Sequence, residues 1–230
     1  MRRVFAWRKF GRIVAFIIVV LLVSGAFSWG VNAVFTIRSV EVAGVGIAIT
    51  VDQAKFQKNL LFFPVDQMTQ QILNEYPLIG SVIIKKKYPS TLIITAVPRR
   101  PFAIAGIGHE TYTLDGDGVV LSQYTNQRNL PTINIAMPAL QPGSQISDPV
   151  VTAAIHFLRE TASIVTVSEV DIFDASSLKA RAGSMSILFP QNADIPVLAR
   201  TLQTVTAGFR IKGKLPETID LRFDKPVVTF

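Results

Sequence analysis

Between Arg12 and Arg38 the chain carries no charged side chain, and Ile13–Val23 is almost entirely Ile, Val, Leu, Ala and Phe. No other feature restricts the fold as tightly. An α-helix rises 1.5 Å per residue, so about 20 apolar residues cross a ~30 Å hydrocarbon core. Residues 13–34 meet that length, and a charge near their centre would cost ~2.5–3.5 kcal/mol. The segment therefore reads as a transmembrane helix embedded in the lipid bilayer, with Trp29 suited to the interfacial aromatic belt. A cleaved signal peptide competes with this reading, because Ser24-Gly25-Ala26 is small where a signal peptidase cuts. The uncharged stretch continues past that point through Phe27, Trp29, Val31 and Val34, which argues for retention.

Charge sets the orientation. Arg2, Arg3, Arg8, Lys9 and Arg12 form a basic tail, residues 1–12, with no acid among them. After the apolar run, Arg38 and Lys55 are offset by Glu41 and Asp52. The asymmetry predicts a cytoplasmic N-terminus and an extracytoplasmic remainder, a single-pass type II topology in the plasma (inner) membrane. The tail also explains the formal charge of +7: without its five cations the chain holds 18 basic and 16 acidic residues. That balance gives no reason to expect a nucleic-acid partner. The chain has no cysteine, so disulfide frameworks and thiolate-ligated metals are excluded. With 49% hydrophobic and 17% charged residues among 230, it has the apolar content to bury a core.

Residues 35–98 form the first extracytoplasmic unit. Phe35-Thr-Ile-Arg-Ser-Val-Glu-Val-Ala-Gly44 alternates like a strand, with a change of phase that predicts a bulge near Ser39. Thr50-Val51-Asp52-Gln53 is a capping-box pattern predicting a short helix over Val51–Asn59. After Pro64, Val65, Met68, Ile72 and Tyr76 recur at helical spacing until Pro77. Two β-rich runs, Ile79–Lys87 and Thr91–Val97, flank Tyr88-Pro89-Ser90 as a hairpin. The sum is β-α-α-β-β, a three-stranded sheet with two helices on one face and an α+β layer fold.

Residues 99–230 read as a second, β-rich domain with two helices. Arg99-Arg100-Pro101 marks the junction, held by backbone and carboxylate contacts. Phe102–Ala105 begins new β structure, and Asp115-Gly-Asp-Gly118 turns a hairpin between Thr111–Leu114 and Val119–Ser122. A polar loop over Pro138–Pro149 leads to a helix at about Val150–Ala162, with Val151, Ile155 and Leu158 on one face. Val165–Phe173, Leu178–Ala182 and Ser184–Phe189 read as a meander. A second helix from Asp194 or Ile195, with Val197, Leu198, Leu202 and Val205 on its apolar side, should stop at Gly208. A closing strand follows in Thr218–Val228.

Taken together, these segments resemble the FtsQ/DivIB family of bacterial division proteins. The resemblance lies in F-x-I-x-x-V-x-V-x-G at 35–44, the aspartate-led helix after Pro64, and I-x-S-V-x-I-x-K-x-Y-P-S-T-L-x-I at 79–94 followed by Arg99-Arg-Pro. It ends with I-D-L-R-F at 219–223. The resemblance implies that β-α-α-β-β directly after a membrane helix is a POTRA domain, followed by an FtsQ-type C-terminal domain. It further implies a divisome scaffold, enriched at the septum, that recruits FtsB and FtsL and links early division proteins to septal peptidoglycan synthesis. A POTRA-bearing adaptor or chaperone of outer-membrane assembly or secretion is the alternative; it would carry a membrane β-barrel or several POTRA units.

No clustered polar site points to catalysis, a metal, a cofactor or a small-molecule substrate. His109 and His156 are isolated, without an H-x-x-x-H partner. Asp115-Gly-Asp-Gly lacks the later ligands of a calcium loop, and Gly44-Val-Gly46 lacks the third glycine of a dinucleotide fingerprint. No G-x-S-x-G or S-x-x-K supports an anchored hydrolase. Lys85-Lys86-Lys87 reads as a solvated strand end, with acidic lipid or a partner as the other use. The expected working surface is the terminal strand, because an edge strand offers unpaired N–H and C=O groups. Ile219 and Leu221 are expected to fill the core. Arg222, Phe223, Lys225, Val227 and Val228 are expected at the partner. The resemblance places Phe223 at the aromatic position that contacts FtsB, while Lys225 and Pro226 replace the small residues of some relatives.

Overall fold

The computed structural model describes residues 2–43, 59–108, 110–123, 129–211 and 216–230. They divide into two units, one of residues 1–75 with 81–98 and the other of 76–80 with 99–230. The expected helix over Val51–Asn59 lies outside the described residues except at Asn59, and His109 lies outside them as well.

The first unit begins with one helix, α1 (Arg2–Phe35). Its backbone runs through the basic tail, so residues 2–12 are not a separate extended segment. Within it Val14–Phe35, with a mean hydropathy of 2.4, is long and apolar enough to cross a membrane, and a signal sequence would meet the same test. The helix also takes Phe35, which the alternation had assigned to a strand. β1 (Ser39–Ala43) therefore starts four residues later, with no bulge at Ser39. α2 (Val65–Glu75) follows Pro64 and buries Met68 and Ile72. β2 (Ile79–Lys87) and β3 (Thr91–Pro98) complete a sheet in the order β1-β3-β2. β1 runs parallel to β3, from Ser39 opposite Thr91 to Ala43 opposite Thr95. Alternate positions Val82 and Ile84 on β2, and Leu92, Ile94 and Ala96 on β3, are buried with Leu60 and Phe63. Each such side chain withdrawn from water contributes roughly 1.5–3 kcal/mol for the larger ones.

The second unit is built on a nine-stranded sheet. Its strands are β4 (Ala103–Ile107), β5 (Glu110–Leu114), β6 (Val120–Gln123), β7 (Thr132–Asn134), β8 (Glu169–Asp174), β9 (Ser177–Ala182), β10 (Met185–Pro190), β11 (Thr218–Asp220) and β12 (Val227–Thr229). Their order is β12-β11-β10-β9-β8-β7-β4-β5-β6. Two parallel neighbours are joined by helices: β7 to β8 through α3 (Pro149–Thr161), and β10 to β11 through α4 (Ile195–Ile211). α3 and α4 pack beside one another, so both crossovers cover the same face of the sheet. The core between them holds Phe157 and Phe189, stacked at 4.0 Å, with Ile133, Val170, Ile187, Leu202 and Ile219. The opposite face carries a polar ladder. Asn134 Nδ2 donates to Asp171 and Glu169, and Arg181 pairs with Glu169 at 3.0 Å.

Local chemistry sets the ends of these elements. Asp148 caps α3: its Oδ1 accepts the N–H groups of Val150 and Val151, and Pro149 occupies the first turn, where no N–H is needed. Gly106 has φ +133° and sits where an added Cβ would lie 2.0 Å from the Glu110 carbonyl oxygen. Four expectations are corrected. α4 runs past Gly208 to Ile211, because that glycine faces open space and nothing there turns the chain. Val197 is exposed on α4, while Ala199, Leu202 and Thr206 are buried. The strand expected from Val165 begins at Glu169; Val165 and Val167 are buried without joining a ladder. The closing strand is a hairpin-like pair, β11 and β12, separated by bends at 222–225.

Candidate partner-binding edge

Among the described residues, β12 is the last strand of the nine-stranded sheet on its side, bonded only to β11. The pairing is antiparallel, with Thr218 opposite Thr229, Ile219 opposite Val228 and Asp220 opposite Val227. In such a strand, backbone groups that point away from the neighbour have no strand to bond and form a template for one more. Val227 is exposed and Val228 half-buried. At the chain's end, Phe230 meets Phe209 of α4 edge-on, with ring centres 5.2 Å apart.

The segment leading into β12 separates core from surface within three residues. Ile219 and Leu221 are buried, whereas Phe223 is 60% exposed. The buried Leu221 N–H donates to the Leu188 carbonyl at 2.8 Å, which holds the turn against β10. Between them, Arg222 is committed to the protein itself. Its Nη2 donates to Asp220 Oδ2 at 2.7 Å, its Nε to Asp220 Oδ1 at 2.9 Å, and its Nη1 to Asp174 Oδ2 at 3.3 Å. The guanidinium carbon also lies 5.1 Å from the Phe173 ring centre and 5.8 Å from that of Phe223. A planar cation held by two carboxylates thus bridges two exposed aromatic rings.

The electrostatics follow from those contacts. The Arg222 hydrogen bonds hold the Asp220 carboxyl below the usual carboxylate range, and Asp220 in turn raises the guanidinium pKa. Asp174 is lowered first by the Ser176 N–H, donated to its Oδ1 at 2.8 Å, with Arg222 adding a smaller pull. These groups are ionised at neutral pH, so one guanidinium faces two carboxylates and the trio keeps a net negative charge. Arg222 therefore presents no free positive charge to a partner. Lys225 is exposed in the bend and is not itself on β12, and Pro226 directly precedes the strand.

Sequence reasoning brought Arg222, Phe223, Lys225, Val227 and Val228 to one short segment, where they remain. It missed Phe173, Asp174 and Asp220 as their companions. Asp174 lies 48 residues away from Arg222, and no local spacing signals that pairing.

Elsewhere the polar residues have structural work. Arg99 Nη1 donates to the buried Asp115, and its Nε donates to the Pro77 carbonyl at 2.9 Å. Asp115 Oδ1 accepts the N–H groups of Asp117 and Val119, so the Asp-Gly-Asp-Gly carboxylates organise a hairpin. His156 is exposed on α3. Among the described residues, no three His, Asp or Glu side chains converge as a metal-ligand set. In comparisons with known proteins, no family model and no curated protein matches the chain.

Proposed function

We propose that this chain is a non-catalytic, single-pass scaffold of the bacterial divisome, similar to FtsQ/DivIB. In this reading α1 is a retained anchor with Arg2, Arg3, Arg8, Lys9 and Arg12 on the cytoplasmic side. The β1-β3-β2 sheet with α2 belongs to a POTRA domain, and the second unit accepts a partner. FtsB is that partner, with FtsL beside it, and the assembly concentrates at the septum of the inner membrane. The observation that carries the reading is the open edge of β12, with the exposed ring of Phe223 beside it and the buried Leu221 two residues before. Backbone pairing along β12 would supply affinity, and the Phe223 ring an apolar anchor of the kind that dominates interface energetics. Confinement of both proteins to one membrane raises their effective concentration.

The test is a fluorescent fusion in dividing cells of the source organism, compared with Phe223→Asp. Because Phe223 is exposed, the variant should fold and insert normally. The expected outcome is midcell recruitment of the parent and loss of FtsB and FtsL co-purification in the variant. Unchanged co-purification would remove Phe223 from the site. Uniform membrane staining from a functional fusion would refute the division reading and turn attention to an adaptor of secretion.

A further inference from the structure

We infer that the first unit is seated on the bilayer itself, through an interfacial wedge formed by Leu61, Phe62 and Tyr88 and ringed by Arg38 and Lys86. The inference rests on α1 being a retained membrane anchor. At ~1.5 Å per residue the 22 residues Val14–Phe35 span ~33 Å, which fills a ~30 Å hydrocarbon core and leaves the last helical turn at its boundary. Beyond that boundary the polar headgroup layer adds roughly 5–7 Å on each side. With the apolar stretch spanning the core close to the membrane normal, whatever touches the last turn of α1 is at headgroup depth.

The contacts to that turn are specific. Asn59 Nδ2 donates to Asn32 Oδ1 at 2.7 Å, and the Leu60 N–H donates to the Phe35 carbonyl at 2.7 Å. Tyr88 packs edge-on against Phe35, with ring centres 5.9 Å apart. Leu61 and Phe62 follow Leu60 at ~3.8 Å per residue, so their backbone stays within ~8 Å of Leu60, which is itself bonded to the helix end. Yet these side chains are not folded away: Leu61 is 41%, Tyr88 57% and Phe62 65% exposed. An apolar pair and a tyrosine left open at this level are matched to the layer where aromatic side chains are enriched in membrane proteins.

The cations complete the match. Lys86 Nζ donates to the Leu61 carbonyl at 3.0 Å, which fixes its ammonium beside the wedge and leaves two further N–H groups. Arg38 Nη2 donates to the Ala33 carbonyl at 3.3 Å, at the C-terminal end of α1. Long basic side chains at this depth extend toward lipid phosphates while their stems stay with the chains. The occupant of this face is thus the outer leaflet of the membrane that holds α1, met by apolar contact and by phosphate.

The full chain, reconstituted in vesicles of phosphatidylcholine and phosphatidylglycerol, gives a direct test with single-tryptophan reporters. One protein carries Phe62→Trp with Trp7→Phe and Trp29→Phe; the other retains Trp29 alone, with Trp7→Phe. Each is measured with lipid brominated near the headgroup end of the acyl chain or near its terminal methyl. The expected result is a blue-shifted emission for the tryptophan at 62, quenched more by the shallow bromines than by the deep ones. Water-like emission without quenching at 62, while Trp29 is quenched, would overturn the inference and leave the anchor intact. Stronger quenching at 62 by the deep bromines would also overturn it, because the wedge would not be interfacial. Absence of quenching at both positions would refute the anchor reading, and this inference with it.

Discussion

Replacing Asp115 with alanine should cost the second unit about 3 kcal/mol, a figure built from the bonds that its carboxylate makes. Asp115 is 5% exposed. Its Oδ1 accepts the Val119 N–H at 2.8 Å and the Asp117 N–H at 3.0 Å, and its Oδ2 accepts from Arg99. A hydrogen bond to a charged group contributes ~1.5–3 kcal/mol, and a buried donor left unsatisfied costs ~1–3 kcal/mol. Val119 is buried, so its N–H bears that penalty; Asp117 is exposed, and its N–H can turn to water. Orphaning a buried ion costs ~3–5 kcal/mol, but that value is a ceiling for Arg99. The guanidinium keeps Asp117 at 3.1 Å and the Pro77 carbonyl at 2.9 Å. For a domain of this size ~3 kcal/mol lowers Tm by ~6–12 °C. The assay is thermal unfolding of the full chain in nanodiscs, followed by circular dichroism. Asp115→Asn keeps an acceptor for the turn and loses the charge, so it should fall about midway between parent and alanine. An alanine shift under ~2 °C would refute the reasoning, since the hairpin would then not depend on this carboxylate.

Two further outcomes follow from the geometry. Asp220 and Asp174 have depressed pKa values in the folded chain, so their stabilising contribution is present above the ordinary carboxylate range and is lost as pH falls through the folded values. Denaturant midpoints should fall as pH drops below ~4, and Arg222→Gln should flatten that dependence; an unchanged profile in the variant would contradict the role given to Arg222. Gly106→Ala should prevent β4 from pairing normally with β5, because the new methyl would meet the Glu110 carbonyl oxygen at 2.0 Å. Native-like yield and unfolding midpoint in that variant would show that the strand can shift to admit it.

Local pattern was enough for several elements and failed where a distant partner decides. Met68 and Ile72 at helical spacing, the two runs flanking Tyr88-Pro89-Ser90, and Pro149 at the head of α3 each carry their own signal. Phe35 suits either a strand or an apolar helix, and the continuous hydrogen bonding of α1 takes it. Thr132–Asn134 is three residues long and is a strand only because β4 and β8 flank it, which no short window records. In the candidate edge, Ile219, Leu221 and Phe223 share one alternation, yet the first two are buried and the third is exposed. The chain bends after Leu221, so the alternation stops having a face to alternate about. Arg222 has the composition of a free cation; its main partner Asp220 is two residues away, while the added contact to Asp174 is a tertiary fact.

The short β7 has a mechanical consequence. A load applied at β12 would pull on one end of the nine-stranded sheet, while β4 is the first of its strands in chain order and lies near the other end. Between those points the sheet order leaves one route, across β7, which meets β4 at two residue pairs and β8 at three. Every other ladder on that path except those of β11 offers more bonds to share a load. Tension applied between β12 and β4 would therefore concentrate at Ile133 and its two neighbours, so the force this sheet can carry is set by its smallest interior strands rather than by its largest core.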